Sequence, residues 1–152
     1  MTDAKDQVQQ LVDIEAIKQL KARYFRLMDL KQWDDWGLVF TTDCVMEVPE
    51  AGMVNNGRGD IVTNVSAVLV GARTCHHGHM PEIEITGDGS ARGIWAMFDY
   101  VEWDERDGTR VGLQGYGHYR EEYKREDGEW RIARTRLERL RVDSLGVVPE
   151  LG

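Results

Sequence analysis

The hydrophobic period of this chain changes once, near Thr74, and that change limits the fold more than any other feature. Before it, Leu11, Ile14, Ile17, Leu20, Tyr24 and Met28 recur at three- and four-residue steps. They draw the apolar stripe of one long helix, with Glu15, Lys18, Gln19, Lys21 and Arg23 expected on the solvated faces. After it, four strand candidates span Thr74–Ile85, Ala91–Trp103, Arg110–Lys124 and Glu129–Val142. Gly87-Asp88-Gly89-Ser90, Asp104-to-Gly108 and Glu126-Asp127-Gly128 separate them with turn chemistry. Connections this short require an antiparallel meander. Between the two regimes, the sequence predicts a short helix over Trp33–Phe40 that exits through Thr41-Thr42-Asp43. A brief strand over Cys44–Val48, stopped by Pro49, a glycine-rich loop over Ala51–Gly59 and a third helix from near Asp60 follow. That helix carries Ile61, Val65, Val68 and Leu69 on one side. Helices first and long strands last is an α+β pattern. Long strands twist strongly, so a helix laid across the concave side makes a cone with a pocket inside.

At 152 residues the chain fits one domain, residues 1–152, with a core that needs no disulfides. The formal net charge is −8 and the basic residues are interleaved with acids, which argues against nucleic-acid or anionic-membrane partners. Cys44 and Cys75 suit free thiols in a reducing compartment. The opening residues Met1 to Asp6 lack the apolar run of a signal peptide, and no stretch suits a membrane span. A cytoplasmic location is the expectation.

Three of the four histidines fall within Cys75-His76-His77-Gly78-His79-Met80-Pro81-Glu82-Ile83. Histidine titrates near neutrality, so such a cluster on a strand is where acid–base chemistry is expected. The alternation puts His77 and His79 opposite His76, which splits any metal-ligand set between two faces; no metal is expected. On the next strand, Trp95, Met97, Asp99, Val101 and Trp103 share a face by the same rule. A carboxylate among apolar side chains is costly unless paired. Asp99 therefore either meets water at an edge or bulge, or lines a cavity. Asp29 is a second oddity, an anion in the last helical turn, where the backbone dipole disfavours it. Tyr24 lies on the stripe five residues earlier, placed to border the same cavity. One of Arg131, Arg134, Arg136, Arg139 and Arg141 reaching inward would neutralise Asp99; the residues alone do not choose which.

The helix from Asp13 through Tyr24-Phe25-Arg26-Leu27-Met28-Asp29, the strand motif His76-x-Gly78-His79-x-Pro81-Glu82-Ile83 and the late Gly128-Glu129-Trp130-Arg131-Ile132 together resemble the SnoaL-like branch of the nuclear transport factor 2-like superfamily. The likeness covers roughly residues 10 to 143 and is nearest to the bile acid 7α-dehydratases, with scytalone dehydratases and hexachlorocyclohexane dehydrochlorinases more distant. It implies a cystatin-like α+β cone, a curved antiparallel sheet around the N-terminal helix, assembled as a homodimer or homotrimer. It also implies that His76 is the catalytic histidine, Asp29 its carboxylate partner and Tyr24 the pocket tyrosine. Asp99 and Arg139 would bind substrate. His118 stands on the third strand, where the bile acid enzyme has an aromatic, and would be a second pocket histidine like the one scytalone dehydratases use, while Trp95, Met97 and Val101 would supply an apolar wall. Neither the Ala51–Gly59 loop nor the Val142–Gly152 tail matches a pattern, so substrate choice is expected there.

The expected chemistry needs no cofactor. Asp29 accepts a hydrogen bond from one nitrogen of His76, and the other nitrogen takes a proton from a carbon beside a carbonyl. Tyr24 stabilises the oxyanion or protonates a leaving hydroxyl. Dehydration is the favoured outcome, on a hydrophobic, polycyclic or aromatic small molecule. Isomerisation and cyclisation, as in ketosteroid-isomerase-like and polyketide-cyclase-like enzymes, begin with the same step. A non-catalytic ligand-binding protein and a protein-interaction module remain alternatives on the same fold.

Overall fold

Asp-Gly pairs set the geometry of the sheet. In the computed structural model, which describes residues 3–147, Asp107-Gly108 and Asp127-Gly128 both have positive φ at each position. Two successive left-handed residues make the type I′ turn whose twist matches flanking strands. The strands they join are long: β3 (Arg73–Gly87), β4 (Ser90–Arg106), β5 (Thr109–Glu126) and β6 (Glu129–Ser144). Each pairs antiparallel with the next, as expected. The tail beyond Val147 lies outside the described residues.

Helix α1 (Ala4–Asp29) crosses the concave side of this sheet. Its buried face begins at Asp13; Leu11 is exposed. Asp13 accepts hydrogen bonds from Trp130 Nε1 (3.1 Å) and Arg125, which ties the helix to the β5–β6 hairpin. Lys21 is a correction to the sequence reading: instead of decorating the surface it is fully buried. Its Nζ lies 2.5 Å from Glu121 Oε1, with both side chains inaccessible. Glu121 also accepts hydrogen bonds from Tyr123 (2.6 Å) and Thr135 (2.9 Å).

The middle of the chain departs furthest from expectation. Helix α2 ends at Gly37 (Trp33–Gly37), and β1 already begins at Phe40 (Phe40–Val48). Thr41 to Asp43 are therefore strand, because Phe40 pairs with Ile132 of β6. That pairing is parallel, so the otherwise antiparallel sheet is mixed. A 3₁₀ turn (Pro49–Ala51) follows, and the expected loop contains an edge strand, β2 (Met53–Asn56), antiparallel to β1. Helix α3 (Arg58–Val68) starts two residues before Asp60. The six strands run β2-β1-β6-β5-β4-β3 in a curved sheet that does not close. The core lies between its concave face and the helices, with Tyr24, Trp36, Phe40 and Tyr119 at its centre. Among the described residues no helix is long and apolar enough to cross a membrane.

Candidate active site

Two cross-strand neighbours hold the site together. His76 of β3 sits directly opposite Asp99 of β4, and Asp99 sits opposite Gly115 of β5. The three therefore form a row on the concave face that starts on the edge strand β3, and Asp99 sits on the interior strand β4, at neither an edge nor a bulge. Asp99 is 1% exposed, so the watery reading of this carboxylate fails.

Asp29, the last residue of α1, reaches the same row. Its Oδ1 lies 2.6 Å from His76 Nδ1 and its Oδ2 accepts the His76 backbone N–H at 2.9 Å. Thr74 Oγ1 donates to Oδ1 at 2.9 Å and itself receives Lys31 Nζ at 2.6 Å. Partial burial by itself pushes the Asp29 carboxyl up, but the His76 ring and backbone hydrogen bonds, the His76 charge and Thr74 outweigh it and hold the group below its ordinary value. An ionised carboxylate only accepts, so in the neutral imidazole Nδ1 carries the proton and Nε2 keeps a lone pair. The histidine is 8% exposed and lines a cavity.

Across that cavity, Arg139 is the inward-facing arginine of β6. Its Nη2 pairs with Asp99 Oδ2, its Nε lies 3.4 Å from Asp99 Oδ1 and its Nη1 lies 2.5 Å from Glu50 Oε1. Burial alone would lower its affinity for the proton, but the Asp99 hydrogen bond and charge reverse this, so the guanidinium stays charged. Gly115 makes room for the pair: a Cβ there would lie 2.1 Å from Asp99 Oδ1 and 2.5 Å from Arg139 Nε. Gly115→Ala is expected to dislodge the guanidinium and destabilise the fold on the order of 1–3 kcal/mol. Thermal melting together with the Arg139 side-chain NMR resonance checks this; an unchanged resonance would refute it.

Tyr24 completes the polar set. It is 3% exposed, packs edge-on to Tyr119 with centroids 6.0 Å apart and lines the cavity. Desolvation, reinforced by the nearby Glu121 charge, pushes its phenol well above the ordinary range. Lys21 Nζ lies behind both rings, 3.9 Å from the centroid of Tyr24 and 3.7 Å from that of Tyr119. The remaining wall is apolar, with Met28, Val101, Trp103, Leu113 and Leu137 from helix and sheet. Val48, Ala51, Met53, Val65, Val68 and Leu69 close the other side.

The sequence reading brings together His76, Asp29, Tyr24, Asp99 and Arg139, and misplaces three others. His118 belongs to the outward-facing series of β5 that alternates with buried Gly117 and Tyr119, so it faces away from the cavity. Trp95 and Met97 lie on the concave face but beyond the cavity's end, where they are core. Trp95 donates to Tyr123 (2.8 Å) and packs where Gly78 leaves space beside Phe25. His77 and His79 are exposed on the convex face, their rings 5.8 Å apart, and so do not converge with His76. Among the described residues no three His, Cys, Asp or Glu side chains are placed to hold a metal ion. Cys44 and Cys75 are both free, and burial pushes the Cys44 thiol up to about 12.

Sequence reasoning missed Glu50, Thr74, Gly115 and the Lys21–Glu121 pair. A glycine in mid-strand signals close approach by another group, and Gly115 fits that signal. The cavity is small, about 100 Å³. A larger groove of about 530 Å³ lies on the outer surface beside Arg92, Arg120, Arg134 and Arg136. It is open and its arginines are already paired with Glu84, Glu138 and Glu47.

The model of the SnoaL-like domain family matches residues 9–136. A scytalone dehydratase-like protein from Novosphingobium aromaticivorans is 19% identical, with a TM-score of 0.79 over 89% of either chain. A hexachlorocyclohexane dehydrochlorinase from Novosphingobium barchaimii is 18% identical, with a TM-score of 0.76 over 91% of this chain and 93% of that one. A Mycobacterium tuberculosis protein of unknown function is 29% identical, with a TM-score of 0.74 over 91% of this chain and 77% of that one.

Proposed function

The chain belongs to the SnoaL-like domain family, and we propose that it is a lyase or isomerase that abstracts a proton from a small apolar substrate, with dehydration as the overall reaction. One observation carries this reading: His76 Nδ1 and Asp29 Oδ1 are 2.6 Å apart at the wall of a largely apolar cavity. A pure binder gains nothing from a base whose tautomer is fixed by a half-buried carboxylate. Similarity to a scytalone dehydratase-like protein and to a dehydrochlorinase supports a lyase or isomerase. The Tyr24, Asp29, His76, Asp99 and Arg139 set further favours a likeness to bile acid 7α-dehydratases.

In the proposed reaction, His76 Nε2 takes the proton from a carbon next to a carbonyl, and Asp29 stabilises the imidazolium. The electron pair of the broken C–H bond moves onto the carbonyl oxygen. Tyr24 hydrogen-bonds to that oxygen. Because burial disfavours the phenolate, Tyr24 serves here as a donor and keeps its proton. When the enolate collapses, the C–O bond to the leaving hydroxyl breaks and a double bond forms. The imidazolium returns its proton to that hydroxyl, which departs as water. No redox step and no added cofactor enters this scheme. We further propose a cytoplasmic homodimer or homotrimer, a stoichiometry that sedimentation velocity measures.

A test that precedes knowledge of the substrate uses deuterium. Small apolar β-hydroxy carbonyl compounds in D₂O should show enzyme-dependent deuteration at the α-carbon and loss of water, both followed by NMR. Asp29→Asn should slow the exchange by about 10²-fold or more, because the imidazolium loses its counter-charge. Equal exchange by wild type and variant would remove the dyad from the mechanism. Absence of exchange across the panel would favour a binding protein.

A further inference from the structure

The cavity poses a problem of scale that Glu50 resolves. An engineered cavity that admits benzene measures roughly 150 Å³, whereas this one is about 100 Å³. A substrate with even one ring therefore requires a wall to move. Three walls are fixed: α1 by Asp13 and by Asp29, and β3 to β6 by continuous ladders. The fourth is shared between α3 and the 3₁₀ turn Pro49–Ala51, and the turn leads through left-handed Gly52 into the edge strand β2. Nothing lies within 4 Å of where a Gly52 side chain would begin. Glu50 of this turn reaches Arg139 Nη1 at 2.5 Å, which ties the turn to the site.

Arg139 thus serves two carboxylates of unequal freedom. Asp99 is sealed beneath it on the ladder, with 1% side-chain exposure. Glu50 is 38% exposed and stands on a surface turn. We propose that Glu50 holds the place of a carboxylate carried by the substrate, so that the natural ligands are small apolar carboxylic acids or close isosteres. The incoming carboxylate takes Nη1, Glu50 swings into solvent and the turn moves outward to enlarge the cavity. Charge decides in favour of an anion. Exchanging one carboxylate for another leaves the guanidinium with two partners throughout, while a neutral ligand breaks a charge-assisted bond and returns nothing of equal strength. Register adds a constraint on shape. His76 and Asp99 are directly opposed, so the carbon that loses its proton lies within a few bonds of the anionic end.

This inference rests on the reading of the cavity as the substrate site, but its test needs no turnover. The probes are benzoate and its neutral analogue benzamide, titrated by NMR or calorimetry. Glu50→Gln is expected to bind benzoate at least about tenfold more tightly than wild type, because a competitor worth roughly one charged hydrogen bond is removed. Benzamide, which also displaces Glu50, should gain as well, but in Glu50→Gln it should bind at least about tenfold more weakly than benzoate because it forms no ion pair with Arg139. Glu122→Gln, the same charge change on the outer face, should leave benzoate binding as it was. Arg139→Gln should lose benzoate; should that variant unfold, the Glu50→Gln comparison decides alone. Equal benzoate affinity in wild type and Glu50→Gln overturns the proposal. So does equal affinity of Glu50→Gln for benzoate and benzamide, which would mean only a loosened wall, or no saturable benzoate binding to Glu50→Gln at millimolar concentration. Selective benzoate binding by a wild-type protein without exchange activity would refute the proposed chemistry and leave the recognition of anions standing.

Discussion

His76→Ala is expected to reduce proton abstraction by about 10³–10⁴-fold while shifting the melting temperature only slightly. The size follows from what a positioned general base contributes, typically 10²–10⁴-fold, at the upper end here because the cavity supplies no other group with a free lone pair and a partnered carboxylate. The small stability effect follows from what remains. Asp29 keeps the backbone N–H of residue 76 and the Thr74 hydroxyl, so no buried carboxylate is orphaned. The measurement is the deuteration rate beside a thermal melt of the same preparation. Added imidazole should restore part of the rate, since the variant opens a ring-sized space next to Asp29. A variant that keeps more than a tenth of the wild-type rate would assign the base elsewhere.

Lys21→Met is expected to be the most damaging single change to stability, by about 3–5 kcal/mol, because it leaves the Glu121 carboxyl enclosed without its partner. For a chain of this length that is a fall of roughly 10 °C in melting temperature. Burial already lowers the affinity of Lys21 for its proton, and the Glu121 charge and hydrogen bond only partly compensate. The pair is therefore costly to keep and costlier to break. Lys21→Met combined with Glu121→Gln removes both charges and retains an acceptor for Tyr123 and Thr135. Urea denaturation should show the double variant recovering more than half of the loss. A double variant as unstable as Lys21→Met would mean that packing of the lysine stem against Tyr24 and Tyr119, rather than charge, is what the protein loses.

The same pair marks how far the sequence could be read. Period-two alternation placed Asp99 on an apolar face, and the cost of a carboxylate there pointed to a partner; both steps held. The same reasoning applied to Ile17, Lys21, Tyr24 and Met28 puts Lys21 on the buried stripe at steps of four, three and four, and β5 places Glu121 among Leu113, Tyr119 and Tyr123. Two opposite charges, each on an apolar face by its own period, should have been matched to one another. The default that helical lysines are solvated hid this. His118 was open to the same correction, since it alternates with the inward Gly117 and Tyr119. Other features left no local mark. The parallel pairing of β1 with β6 joins segments some ninety residues apart, and choosing Arg139 among five arginines depended on register shifts late in the sheet. Glu50 was hidden because a turn glutamate beside a proline looks like any surface residue. The α+β order, the four long strands and the inward side of β4 were legible because turn glycines and alternation are short-range signals.

The reactive side chains and the movable wall come from different stretches of chain. Tyr24, Asp29, His76, Asp99 and Arg139 stand on α1, β3, β4 and β6, whereas half of the apolar lining and Glu50 come from the continuous stretch between Val48 and Leu69. Replacing those twenty-odd residues as one cassette would alter guest size and the anionic competitor together without touching the proton-transfer machinery. The architecture thereby separates what is transformed from how it is transformed, and a graft of this stretch between homologues should transplant ligand preference in a single step.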